Sequence, residues 1–189
     1  MKNATRFGTR SSIRIATLVA VACAGAQSAG ALAEIAPPMT PPALAAPAGN
    51  TVTLQVRATG TQIYSCKDAP GAAGKFEWRF VAPEAELFDA GAKKLGRHYA
   101  GPSWEMTDGS KVVGEVAAKD DGPDPAAIAW LLLKAKSVSG KGVLSNTTFI
   151  QRINTEGGKA PASGCDAAHK DASAAVPYKA IYVFYSAGK

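Results

Sequence analysis

Within the stretch LGRHYAGPSWEMTDGSKVVGE, Leu95 to Glu115, stand His98, Tyr99, Ser103, Trp104, Glu105 and Asp108. His98 is one of two histidines in the chain. As a general base it needs a nucleophile to deprotonate and commonly a carboxylate to orient it. Ser103 and Glu105 are the nearest of each kind in sequence, but GPSWE lacks the second glycine of a nucleophile elbow. Glu105 and Asp108 could serve as an acid–base pair of the glycoside-hydrolase kind. Asp108, however, is already accounted for by the Asp108–Gly109 turn, a strong hairpin signal. The same stretch is more simply two strand ends and a hairpin. Trp104 and Met106 then share one face, and Ser103, Glu105 and Thr107 the other. Trp104 becomes core, His98 the ligand-facing residue, and Glu105 its nearest polar neighbour.

A second group closes a strand-like run: Arg152, Asn154 and Thr155 precede Gly157–Gly158, where strand-end polar groups commonly face a binding mouth. The ligand-binding candidates are therefore His98, Tyr99, Glu105, Arg152 and Asn154, with no residue assigned as catalytic. Cys165 and His169 stand four apart, which is half a metal site at most, so no metal is expected. GKGVLS, from Gly140, has serine where a dinucleotide-binding turn needs its third glycine, and it precedes a strand rather than a helix. GAAGK, ending at Lys75, is too short for a phosphate loop and lacks the following Ser or Thr. No cofactor is implied. Asn146-Thr147-Thr148 fits the glycosylation acceptor pattern, which matters only in a eukaryotic secretory pathway.

Period-2 alternation dominates the elements that must position these residues. TVTLQVRA puts Val52, Leu54 and Val56 on one face, and QIYSC follows a turn at Gly60. FEWRFV and ELFD are further short strands, and KKLGRHY, SWEMT and KVVGEVA follow, each bounded by Gly, Pro or Asp. Trp78, Trp104 and Trp130 all fall on such runs and are expected in the core. AIAWLLLKAK, within Ala126–Lys136, has helix-forming composition but hard stops on both sides and suits a buried strand. VLSNTTFIQRINT is a long strand, and YKAIYVFYS is apolar on both faces, so it should sit centrally or close a barrel. Nine or ten strands with few helical patterns predict an all-β fold, a single antiparallel sandwich or barrel.

The N-terminal region is laid out for export. Lys2, Arg6, Arg10 and Arg14 precede an apolar run from Ile15 to about Ala26, and Ala31-Leu32-Ala33 is the best cleavage site, so residues 1–33 are expected to be a signal peptide. The run is too short for a membrane-spanning helix, and no later segment is long enough. Cys23, after Ala20-Val21-Ala22, lacks the larger aliphatic residue usual three positions before a lipidated cysteine. Residues 34–49, EIAPPMTPPALAAPAG, contain five prolines and read as a stiff tether making few contacts. One domain, residues 50–189, follows.

Without the leader, 17 of the 21 basic residues remain against 15 acidic ones, a net charge of +2. Basic residues form no cluster interleaved with aromatics, which argues against nucleic acid. Cys66 and Cys165 remain, and in an oxidising periplasmic or extracellular compartment they are expected to pair. Such a bond closes a loop of about 100 residues and contributes on the order of 4–5 kcal/mol in the chain-entropy model.

The segments GTQIYSC, WRFVAPEAELFD, GRHYAGPSWEMTDGSKVVGEV, AIAWLLLKA, GKGVLSNTTFIQRINTEGGKAPASGC and VPYKAIYVFY, in that order, resemble the DUF3455 family of secreted bacterial and fungal proteins. The resemblance runs from about Thr51 to Tyr185 and carries no assigned catalytic residues. Some fungal relatives bear a malate dehydrogenase label, which the missing dinucleotide turn argues against here. The sequence thus points to an exported binding or surface-associated β-domain whose partner is an unidentified ligand, such as a cell-envelope or extracellular component. The alternative is a secreted hydrolase acting on glycan or ester through His98 and Glu105. Mass spectrometry of the exported protein should find Glu34 as its first residue; an intact N-terminus would remove the leader assignment.

Overall fold

The computed structural model describes residues 1–3, 8 and 35–188; the apolar run and cleavage site of the expected leader lie outside them. Runs rich in Val, Ile, Thr, Tyr and Phe with alternating burial form eight strands, as these side chains fit a pleated, half-buried surface. They are β1 (Asn50–Asp68), β2 (Phe76–Phe88), β3 (Lys94–Tyr99), β4 (Ser103–Met106), β5 (Lys111–Asp120), β6 (Trp130–Ser139), β7 (Thr147–Gly157) and β8 (Ser173–Ala187). Each strand pairs antiparallel with the next, and β8 pairs back onto β1 from Asn50–Ala187 to Ser65–Ser173. The result is a closed up-and-down barrel, the all-β class expected.

Eight strands replace the nine or ten expected because two presumed breaks are continuous. β1 runs straight through Gly60, where a Cβ would stand 2.0 Å from the Glu84 carbonyl oxygen and 2.4 Å from Ala85 Cα. This glycine lets β2 approach closely rather than turning the chain. FEWRFV and ELFD likewise join into β2 through Pro83, with a register shift where β1 passes from Ile63 to Tyr64. A second shift, between Val52 and Leu54, turns Val52 away from the Leu54–Val56 face it was expected to share. AIAWLLLKAK is strand from Trp130 onward, and before it Ala127 bridges to Gly158.

β8 shows why its two faces are both apolar. Tyr178, Ala180, Tyr182 and Phe184 join the main core with Val56, Leu87, Trp104, Met106, Val112 and Ile150. Val183 and Tyr185 join a second cluster with Val52 and Ile153, against which Ala46, Phe149 and Trp130 pack. Of the three tryptophans only Trp104 belongs to a core cluster; Trp130 is partly buried at the second, and Trp78 instead donates from Nε1 to the Ser163 carbonyl (3.0 Å). Elsewhere the outward face carries ion pairs such as Arg97–Glu105 and Lys179–Glu156, a water-facing pattern opposite to the apolar outer band of a membrane barrel. No helix among the described residues is long and apolar enough to cross a membrane.

Cys66, on β1, is bonded to Cys165 in the β7–β8 connection, with Cα atoms 5.3 Å apart. The expectation of a contact-poor tether is corrected. Ile35 bridges to Val52, and a short 3-10 helix at Pro42–Leu44 places Leu44 at zero exposure within the main core. The Leu44 carbonyl accepts a hydrogen bond from Gln151 Nε2, and Tyr185 donates to Gln151 Oε1 (2.6 Å). Composition suggested an extended polymer, but one buried leucine and one satisfied carbonyl dock it. Leu44→Ala should lower unfolding stability by about 2–5 kcal/mol, the usual large-to-small core penalty. An unchanged denaturant midpoint would show that the segment does not pack.

Candidate functional site

In a closed barrel every second residue of each strand points inward. Along β1 the inward row is Val56, Ala58, Gly60, Gln62 and Tyr64, so it changes from aliphatic to polar as it runs toward Cys66. The β2–β3, β4–β5 and β6–β7 connections close one end, where Leu44, Leu87, Met106, Val112, Leu144 and Phe184 fill the interior. Toward the other end the side chains do not meet, and a cavity of about 670 Å³ remains. Its inner wall is built from Gln62, Tyr64, His98, Trp104, Arg152 and Tyr182, and its apolar flank from Ile128, Leu131 and Leu133.

The turn between β3 and β4 fixes the polar geometry. It sets His98 opposite Trp104 and Arg97 opposite Glu105. His98 and Trp104 therefore both point inward, with rings stacked at 4.4 Å and 15°, and Tyr182 sits 4.9 Å from His98. His98 Nδ1–H donates to the Ser103 carbonyl oxygen (2.8 Å), which leaves Nε2 as an acceptor. His98 is 2 % exposed. Burial is the main cause that brings its pKa down to about 3, the Arg152 charge adding to it against the Ser103 hydrogen bond. The imidazole is neutral at physiological pH.

Glu105 is not the neighbour of His98 that the sequence suggested. It points outward, where it accepts from Tyr99 Oη (2.6 Å) and pairs with Arg97 (3.1 Å). Those bonds, Tyr99's first, hold its carboxyl below the usual range. Tyr99 belongs to this outer group, with Arg97 and Lys111 over its ring. His98 contacts the carbonyl of Ser103 and stands on the opposite sheet face from Glu105, so the hydrolase pair does not form. Asp108 closes its turn as expected and also accepts from Val143 N (2.8 Å), tying the β4–β5 turn to the β6–β7 loop.

Of the candidates, the structure brings together His98 and Arg152. Arg152 pairs across the sheet with Leu131 and Tyr182, and its Nε and Nη2 donate to the Ala129 carbonyl (3.0 and 2.8 Å). Asn154 is exposed at the register shift between Ile153 and Glu156, with φ of 49°, and borders a separate surface groove with Arg57 and Lys179. Gln62, Tyr64, Tyr182, Lys119 and Lys159 were not singled out from sequence. Gln62 had a visible signal: it shares the parity of Val56 and Ala58, a polar residue in an apolar row.

Two polar groups of the wall residues lack a protein partner. Gln62 Nε2 and Trp104 Nε1 are buried donors with no hydrogen-bond partner. The Gln62 amide lies close enough to Tyr178 to oppose slightly the rise that burial gives that hydroxyl's pKa, yet Nε2 reaches no acceptor at bonding geometry. Tyr64 is satisfied through the Gly158 carbonyl (2.6 Å). The described residues include no group of three His, Cys, Asp or Glu that could hold a metal ion.

A histidine buried neutral binds fewer protons than its unfolded counterpart between its folded and unfolded pKa values, so stability rises with pH across that window. The unfolded chain protonates near pH 6.5 and the folded one only near 3. Lowering the pH from about 6.5 to 4.5 should therefore weaken the wild type by up to about 1.4 kcal/mol per pH unit. His98→Phe should lose most of this slope in denaturant melts at the two pH values, whereas an equal slope in both proteins would show that His98 is not the group responsible.

Neither the curated proteins nor the solved structures contain a match to the chain. A family model described as a protein of unknown function, DUF3455, matches residues 47–186, which span the whole barrel and its interior cavity. The chain belongs to the DUF3455 family.

Proposed function

We propose that the protein is an exported binding protein that holds one small molecule inside its barrel and carries out no chemistry on it. The observation that supports this most directly is the pair of buried, unpartnered donors, Gln62 Nε2 and Trp104 Nε1, in the wall of a cavity open at one end. An orphaned buried donor carries a desolvation penalty of about 1–3 kcal/mol, which a ligand acceptor would relieve. The cavity volume falls within the range of small-molecule sites, and its mixture of aromatic walls with a few convergent polar groups is that of a binding pocket. A neutral histidine hydrogen-bonded to backbone and stacked on tryptophan suits recognition better than proton transfer. The Cys66–Cys165 disulfide is consistent with an oxidising compartment.

Leu131 lines the cavity, so Leu131→Trp fills it from the apolar flank. The uncharged fluorophore phenylnaphthylamine should bind the wild type with one site per chain. The variant should keep the wild-type melting temperature and bind about tenfold more weakly or worse, a loss of about 1.4 kcal/mol. Equal binding by both proteins would place the probe on the surface and remove the proposed site.

A further inference from the structure

Among the described residues the interior holds one guanidinium and, facing it, no anion. Arg152 carries five N–H donors. Nε and Nη2 contact the Ala129 carbonyl, a neutral partner. None of the ion pairs among the described residues includes Arg152. Beyond Ala129 the guanidinium makes no hydrogen bond of good geometry, though it lies close enough to the wholly buried Tyr182 hydroxyl to oppose the rise that burial gives its pKa, and it shares a cavity wall with the unpartnered Gln62 Nε2. A partly desolvated cation without a counter-charge is unfavourable, and an anionic ligand would relieve that cost. A planar carboxylate matches the guanidinium fork with two parallel bonds.

The rest of the cavity describes the remainder of such a molecule. Leu131, Leu133 and Ile128 form its flank, and Phe80, Val81 and Val116 form its rim. These three rim residues are 53 %, 58 % and 53 % exposed, unusual for large apolar side chains at one opening. Lys119 and Lys159 also line the cavity, and its single carboxylate, Asp121, is paired with Lys119 (3.0 Å). The cavity thus presents three cations against one carboxylate, a field that draws an anion toward it. We propose that the ligand is an amphiphilic monocarboxylate bound head-first, its carboxylate on Arg152 and Gln62 and its apolar tail running out along Leu131 to Phe80, Val81 and Val116. This assignment rests on the interior being the binding site.

Displacement of phenylnaphthylamine near neutral pH separates the two ideas. Dodecanoate should compete at least about tenfold better than dodecanol, as a charge-assisted bond requires. Arg152→Gln should bring the two ligands to within about twofold of each other. Lys119→Gln/Lys159→Gln should keep most of the preference for the carboxylate. Equal affinities in the wild type would overturn the carboxylate assignment but leave the binding function intact. A preference that survives Arg152→Gln and disappears in the lysine variant would also overturn it, moving the anion to the mouth. If neither ligand displaces the probe and the probe itself does not bind, both proposals fall.

Discussion

The ladder between β1 and β8 is the interaction on which everything inside the barrel depends. It satisfies the backbone groups of the first and last strands together, and it leaves the sheet no free edge at which another chain could add. Closure also fixes which side chains are enclosed, because a strand pinned on both sides cannot rotate to exchange its faces. β1, at nineteen residues, must follow both neighbours over most of its length. Gly60 permits this by having no side chain where β2 crosses, and Gly96 does the same where a Cβ would stand 2.2 Å from the Glu105 carbonyl oxygen. Two glycines thus allow neighbouring strands to approach where a side chain would clash.

Within that enclosure, polar groups are graded along the axis. At the closed end, Leu44, Leu87, Met106 and Phe184 fill the interior, Ser110 donates to Asp108 and the buried Thr147 Oγ1 stays unpartnered. Midway, His98 is tolerated because the Ser103 carbonyl takes its one proton and Trp104 covers its ring. Nearer the opening stand the half-buried Arg152, the buried Tyr64, which donates to the Gly158 carbonyl, and the buried Gln62, whose Nε2 has no partner. Under the proposed binding role, this gradient would favour one orientation of a guest molecule.

Much of the fold was legible in the sequence because period-2 alternation is local. The two apolar faces of β8, the Asp108–Gly109 turn and the Cys66–Cys165 pairing could all be read from residue types and compartment. The misreadings have a common physical origin in contacts between segments distant in sequence. Gly60 looks like a turn until β2 is laid beside it, and the Pro/Ala-rich 34–49 segment looks like a tether until Leu44 meets the core. Glu105 and His98 were grouped by proximity, but alternation sorts residues only within a strand. Which parity of β4 joins His98 depends on the register of the Tyr99–Ser103 turn, and moving that register by one residue would have put Glu105 inside. Arg152 was singled out as a strand-end residue although β7 runs on to Gly157, and Gln62 was passed over because its polarity was not weighed against its apolar row.

The Cys66–Cys165 disulfide also ties the connection before the last strand to the first strand. Cys66 lies near the start of the domain and Cys165 lies 99 residues later, just before the strand that closes the ring. A chain delivered from its N-terminus presents β1 first, yet β1 acquires its second neighbour only when β8 arrives. Pairings of such high sequence separation form slowly. Until then β1 is an unprotected edge, exposed to association with other chains. Oxidation holds the β7–β8 connection against β1, so the covalent bond sits where it shortens the final search and lessens the time that edge stays open.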